Sequence, residues 1–564
     1  MELLAPAGDR DSLKAAIENG ADAVYIGAQN FSARNLADNF DNIETAALYA
    51  HKAHTKLYLA LNTLVRDREI PAWLLTAKNA ALAGIDAFIV QDLGCAMLLK
   101  ELCPNVPLHA STQMTAMNTQ NVRVLQKLGF ARAIPARELS FAEICTIKRN
   151  TQIPLEIFVH GALCVSYSGQ CLMSSIFGGR SANRGLCAQP CRLNYSANGK
   201  SGRLLSPRDL CLIDYIGDLA QMGIQSVKIE GRMKSAQYVG TVTRIYRKAL
   251  DGKIITKRDK EELLQAYSGR GFTDRPFADA LPASPTAKNT SSESTMPTAA
   301  PSFSAYTPLK KGKKKKPNKL AAQVMTLAQA KSVLPLIDIL YVPYDARWAR
   351  ELPHTGTQII GIHPTIQHDS EISSSPAHFD GEAFGTLNDT DVAQKIADIS
   401  FNVTNSETLK VLRSMGYKRA TLSAELNAAQ IADLSDVMPT EIIAYGRLTL
   451  MTTMRCPMHC DKKNCLADTG KTAVGKAFIT DRMRKKFPVI RVGKNCRVAI
   501  LNSEPVYMAD KISMLSANVL RLVFTIETPT ECAQIAQKYR DAMNGKPHPP
   551  QGDFTRGHFT RGVK

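Results

Sequence analysis

Short apolar runs alternate with amphipathic stretches along residues 1–250. Runs at 2–7, 23–27, 57–61, 88–91, 107–110, 131–135, 155–159 and 227–229 read as strands. Between them, 12–19, 45–53, 71–83 and 121–128 carry apolar residues three and four apart, the period of a helix with one buried face. Ser140 and Glu143 form a capping box that starts a further helix. Eight strands, each followed by a helix or a long loop, predict an α/β fold with a (β/α)8 TIM-barrel-like N-terminal domain. An open, doubly wound sheet is the alternative, because strand order cannot be read from one sequence.

The pattern then repeats. Pro154-x-Glu156-x6-Leu163-x7-Cys171 returns as Pro439-x-Glu441-x6-Leu448-x7-Cys456, an offset of 285. Asn118, Leu125, Gly129 and Glu138-Leu139 return as Asn405, Leu412, Gly416 and Glu425-Leu426, an offset of 287. Tyr246-Arg247-x-Ala249-x-x-Gly252 returns as Tyr539-Arg540-x-Ala542-x-x-Gly545. A near-constant offset over so long a stretch predicts a second, related barrel-like half. Its strands are weaker and separated by polar segments such as 368–377, so it need not be a complete barrel. Between the halves, 282–308 is rich in Ser, Thr, Pro and Ala, and 310–319 holds seven lysines and no acid. The expected division is 1–275, an N-terminal barrel carrying a cysteine cluster; 276–320, a disordered, partly polybasic linker; and 321–564, the repeat.

Charge narrows the partner. The chain is formally +19, with a sequence pI near 9.3, and it remains +12 without the lysine run. That balance favours a polyanion, most simply nucleic acid. No apolar run reaches eighteen residues, so a membrane span is not expected. Thirteen cysteines without a secretory leader predict a reducing, cytoplasmic location.

In a barrel of this type the chemistry lies where strands end and the following loops begin. Asn62, Asp92, Ser111-Thr112-Gln113, Arg137-Glu138, His160 and Glu230-Gly231-Arg232 fall there. Four cysteines follow the seventh strand, at 164, 171, 187 and 191, in a glycine-rich stretch. Thiolates are soft ligands for zinc or iron–sulfur clusters. Only Cys187 and Cys191 have the close spacing of a zinc pair, and spacing alone leaves cluster, zinc and structural thiols open. Cys456, Cys460, Cys465 and Cys496 offer a second set, although Thr449 replaces the counterpart of Cys164. Gly470-x4-Gly475-Lys476 has phosphate-loop spacing but lacks the Ser or Thr and the preceding strand, and is discounted.

Glu156-x-Phe158-x-x-Gly161-Ala162-Leu163-Cys164, Gly169-x-Cys171-x-Met173-Ser174 and Cys187-Ala188-Gln189-Pro190-Cys191-Arg192 resemble the signature of the U-thirty-two, collagenase-like peptidase family. The two-halved layout is similar to its ribosomal RNA cytidine hydroxylase branch. The resemblance implies a [4Fe-4S] cluster on Cys164, Cys171, Cys187 and Cys191, and hydroxylation of an RNA pyrimidine with prephenate as co-substrate. His160, Gln113, Arg137 and Glu230 are then the catalytic candidates. Arg180, Arg184 and Arg232 are the candidates for holding a dicarboxylate or phosphate through bidentate contacts. The expected partner is ribosomal RNA, with transfer RNA as the second choice. Two other readings compete. One is a peptidase using Cys164 or Cys171 with His160, and the other a non-catalytic RNA-binding scaffold with a structural metal.

Overall fold

In the computed structural model the eight expected strands of the first half all form, and they pair in parallel. The structure describes every residue except 36, 267–270, 279–304, 354–355, 373–374, 376, 435, 459–464, 466–476, 494–495 and 564. Most of the expected disordered linker, the discounted phosphate-loop match and Cys460 therefore lie outside the described residues. Contacts divide the chain into two units. The first comprises Met1–Gly169, Ala182–Cys187 and Pro207–Thr307, and the second Gln170–Ser181, Ala188–Ser206 and Pro308–Lys564.

In the first unit the strands Ser226–Ile229, Glu2–Pro6, Ala23–Gly27, Lys56–Leu61, Ala87–Val90, Leu108–Ala110 and Arg132–Ala133 lie side by side in that order. Glu156–Gly161 pairs with Ser226–Ile229, and a parallel bridge from Ala133 to Leu155 closes an eight-stranded parallel barrel sheet. Helices start where a short polar side chain can accept an otherwise orphaned backbone N–H. Asp9, Asp92, Asn118 and Ser235 each do this, and Ser140 with Glu143 forms the expected capping box. The interior is not purely apolar. Glu156 accepts from Lys228 Nζ at 2.9 Å and from Arg132 Nη1 at 3.0 Å, and Glu2 accepts from Tyr58 and Ser226.

The second unit also closes a ring, through Lys319–Gln323, Ile339–Pro343, Gln358–Ile362, Gly381–Phe384, Lys395–Ala397, Tyr417–Thr421, Thr440–Gly446 and Val519–Val523. The strand set is thus complete, and polar segments in this half interrupt the helical layer instead. Among the described residues, 3-10 turns such as Arg347–Glu351 and Asp369–Glu371 stand where the first unit has longer helices.

The repeat reaches individual hydrogen bonds. In the first ring the pairing skips Val159, whose carbonyl accepts from Tyr246. In the second the pairing skips Ala444, whose carbonyl accepts from Tyr539. Lys228 lies over the Tyr25 ring and Arg521 over the Tyr341 ring, at 4.3 and 4.0 Å.

Two parts of the expected layout change. Gln170–Ser181 and Ala188–Ser206 group with the second unit, because Cys171 bridges Met451 and the strand Tyr195–Ala197 pairs with Phe478–Thr480. The polybasic segment is ordered against that unit rather than free. Lys311 and Lys315 form ion pairs with Asp433 and Asp436, and Lys314 Nζ donates to the Ser513 carbonyl. Lysines that find local carboxylates become part of the structure.

Candidate functional site

The loop after the second strand supplies the group that organises the mouth of the first barrel. Arg34 donates to Glu230 Oε1 through Nε at 3.2 Å and Nη2 at 3.0 Å. Arg232 turns back to Ser32 Oγ at 2.5 Å. Arg137 donates to the Ala162 carbonyl and to Ser168, and its buried Nε has no partner among the described residues. Burial alone would raise the Glu230 carboxyl, but the charges of Arg34, Arg137 and Arg232 outweigh it and hold the group below its usual range. Burial lowers Arg232 to about 10, which leaves it charged at neutral pH. Three guanidiniums around one ionised carboxylate make a mouth suited to an anion. Glu230 can also accept a hydrogen bond from a hydroxyl or amino group.

Gln113 is held by the same loop. Its side-chain oxygen accepts from Asn62, whose own oxygen accepts from the Ala33 N–H. Gly185 has φ +80°, and a Cβ there would lie 2.2 Å from the Ser32 carbonyl. Only glycine lets the Cys187 loop approach the Arg34 loop this closely.

The other candidates separate from this group. His160 is buried among Tyr238, Tyr246 and Phe272. Its Nδ1 meets the Tyr246 hydroxyl at 3.3 Å, and its Nε2 has no partner among the described residues. The skipped pairing at Val159 turns it out of the barrel onto the helix Ala236–Leu250, and burial pushes its ring down to about 3. Its ring is neutral and packed away from the Arg34–Glu230 group, and among the described residues it makes no hydrogen bond to Cys164. Arg184 grips Glu69 with both terminal nitrogens, at 2.9 and 2.7 Å, and is a loop clamp rather than a free substrate ligand. Asp92 caps Leu93–Leu102 and accepts from the Val65 N–H. Arg180 belongs to the second unit.

The four cysteines divide two and two: Cys164 and Cys187 in the first unit, Cys171 and Cys191 in the second. Among the described residues, no three His, Cys, Asp or Glu side chains gather as metal ligands. The donor chemistry of the pairs nevertheless suits a cluster. Cys187 lies within Coulombic range of Cys164 and of Arg34, whose charge would offset thiolates. Cys171 and Cys191 both act on the Tyr195 hydroxyl.

The duplication provides an internal control. Glu156 opposite Ser226 and Glu441 opposite Val519 align Lys228 with Arg521. The buried charges persist: Arg419 for Arg132, Glu441 for Glu156, Arg521 for Lys228. The mouth does not. Val523 stands for Glu230, Thr525 for Arg232, Ala424 for Arg137 and Thr449 for Cys164. The buried charges between strands are kept in both rings, whereas Glu230, Arg232, Arg137 and Cys164 are found in one.

The profile of peptidase family U32 matches residues 8–280 and 394–544. The chain belongs to this family. It is 40% identical over 278 residues to the 23S rRNA 5-hydroxycytidine C2501 synthase of Escherichia coli, spanning 48% of this chain and 42% of that protein. Against tRNA hydroxylation protein P1 of Bacillus subtilis it is 39% identical, over 44% of this chain and 63% of the relative. An uncharacterized protease of Methanocaldococcus jannaschii is 40% identical, over 50% of this chain and 74% of the relative. The match thus spans less than two thirds of the first two relatives. Among the described residues, no helix is long and apolar enough to cross a membrane.

Proposed function

We propose that this chain is an RNA pyrimidine hydroxylase whose first unit is a working (β/α)8-type barrel and whose second unit is a copy without the site. The observation that carries this reading is the loss of Glu230, Arg232, Arg137 and Cys164 from the second ring while its buried charges remain. The names of the two bacterial relatives supply the reaction type. A cytidine of large-subunit ribosomal RNA is the favoured target.

In this reading a [4Fe-4S] cluster on Cys164, Cys171, Cys187 and Cys191 supplies one-electron chemistry when bound. Arg137 and Arg232 would hold a dicarboxylate such as prephenate or an RNA phosphate by charge-assisted hydrogen bonds. Glu230, fixed by Arg34, would accept from the exocyclic amino group of a base taken out of its stack. Gln113, oriented by Asn62, offers a further polar contact.

Mass spectrometry of digested ribosomal and transfer RNA from deletion and parent cells tests the function. The expected result is the loss of one oxygen atom's mass from a pyrimidine nucleoside in the deletion strain. Unchanged nucleosides, together with peptide cleavage that depends on Cys164, would favour the peptidase reading instead. The cofactor has its own test. Alanine at any of the four cysteines is expected to remove iron and acid-labile sulfide from anaerobically purified protein, and zinc without sulfide in the parent protein would refute the cluster.

A further inference from the structure

A six-stranded antiparallel sheet in the second unit belongs to neither strand ring. Thr449–Thr453, Val498–Leu501, Lys486–Arg491, Phe478–Thr480, Tyr195–Ala197 and Lys200–Gly202 follow one another across it. Ser196 pairs antiparallel with Thr480, which sets Tyr195 beside Asp481 and brings the 481–485 turn to the same end as Arg192 and Arg203. Residues 482–486, Arg-Met-Arg-Lys-Lys, are all exposed, Met483 by 74%.

Most of the charge there has no carboxylate partner. Asp481 uses one carboxylate oxygen on the N–H groups of Met483 and Lys485 in its own turn. Lys485 pairs with Glu504. Among the described residues, Arg192, Arg203, Arg482, Arg484 and Lys486 make no ion pair, and Lys486 lies over the Phe478 ring at 4.7 Å. Exposed apolar side chains accompany them. Leu193 is 45% and Phe177 41% exposed, and the Phe177 ring leans on Phe487 at 5.2 Å. Unpaired cations with an exposed aromatic ring suit a strand of nucleotides, which offers phosphates to the first and base faces to the second. An acidic protein surface would use only the cations.

We infer that this sheet end, and not the lysine run at 310–319, is the surface that holds the RNA, gripping an unpaired loop through its phosphates. The lysine run has spent part of its charge on Asp433 and Asp436, whereas the hairpin has spent Lys485 on Glu504 and, among the described residues, keeps Arg482, Arg484 and Lys486 out of ion pairs. Tyr195, at the same end of the sheet, donates to the Pro190 carbonyl at 3.0 Å, so this end of the sheet is tied to the residue next to Cys191, one of the thiols proposed for the cluster. The inference rests on the RNA reading above, yet it is tested by binding rather than by modification.

The test uses the full chain and a fluorescently labelled RNA hairpin with a pyrimidine-rich loop, titrated across a range of salt concentrations. R482A/R484A is expected to weaken binding about tenfold at roughly 0.1 M salt and to reduce the salt slope by about 1.4, two phosphate contacts at ~0.7 each. R482K/R484K should retain most of both. R203A provides a separate probe on the neighbouring hairpin, with a slope reduction of about 0.7. Unchanged affinity and slope in R482A/R484A and R203A, with loss of binding in K311A/K315A, would overturn the assignment. If deletion cells lack no modified nucleoside, the hydroxylase reading fails while this measurement still decides the binding surface.

Discussion

Methionine in place of Arg521 is expected to destabilise the second unit by about 3–5 kcal/mol at neutral pH, because it strands buried carboxylates. Arg521 contacts Glu441, donates to Asp398 at 2.8 Å and to Thr421 at 2.8 Å, and is itself buried. Burial works to raise the Glu441 carboxyl, but Arg521 and Arg419 outweigh it and hold the group below 4.5. A folded value below the unfolded one means that Glu441 contributes fully above about pH 4.5, and the contribution fades as pH falls through the folded value. The penalty in Arg521→Met should therefore shrink on acidification, since a protonated carboxyl no longer needs the guanidinium. Urea titrations at neutral and acid pH measure both effects, and a penalty independent of pH would contradict the account. Lys228→Met should cost less, because Lys228 serves Glu156 alone whereas Arg521 also serves Asp398, and in each ring a second arginine, Arg132 or Arg419, still pairs with the glutamate.

The second large effect is expected at the mouth. Glu230→Gln should lower RNA modification on the order of 100-fold, comparable to removal of one preorganised electrostatic group from an active site. Arg34→Met should do the same, since each group fixes the other. Thermal unfolding should change far less than in Arg521→Met, because this pair reaches solvent, with 33% of the Arg34 side chain exposed. Measured on the RNA that the deletion strain leaves unmodified, a normal rate in Glu230→Gln would remove that residue from the site.

The strands were legible because their apolar runs are short, bounded and regularly spaced, and all eight in the first half lie where the pattern puts them. The internal repeat was legible for the same reason, down to the tyrosines at 246 and 539. His160 was not. The apolar run suggests a strand that stops at Val159, but the strand continues to Gly161, and the skipped residue at Val159 places His160 within the pairing and against Tyr238, Tyr246 and Phe272. Arg34 escaped notice because nothing in residues 29–39 forms a motif, and its importance comes from Glu230, 196 positions away. The lysine run looked like free linker because its partners, Asp433 and Asp436, are more than 100 residues distant. Local composition cannot see a neutralising partner that the fold brings from elsewhere.

The strand Tyr195–Ala197, hydrogen-bonded within the second unit although it comes from the first half of the chain, governs how the protein can be taken apart. A protease cut anywhere in 279–304 would sever one covalent link and leave the fragments sharing a sheet. Expressed alone, 1–275 would keep its strand ring but expose a hairpin with no neighbour to extend. Expressed alone, 321–564 would present the free edge of Phe478–Thr480, an open template for aggregation. The practical unit for expression and crystallisation is therefore the whole chain, or two fragments refolded together.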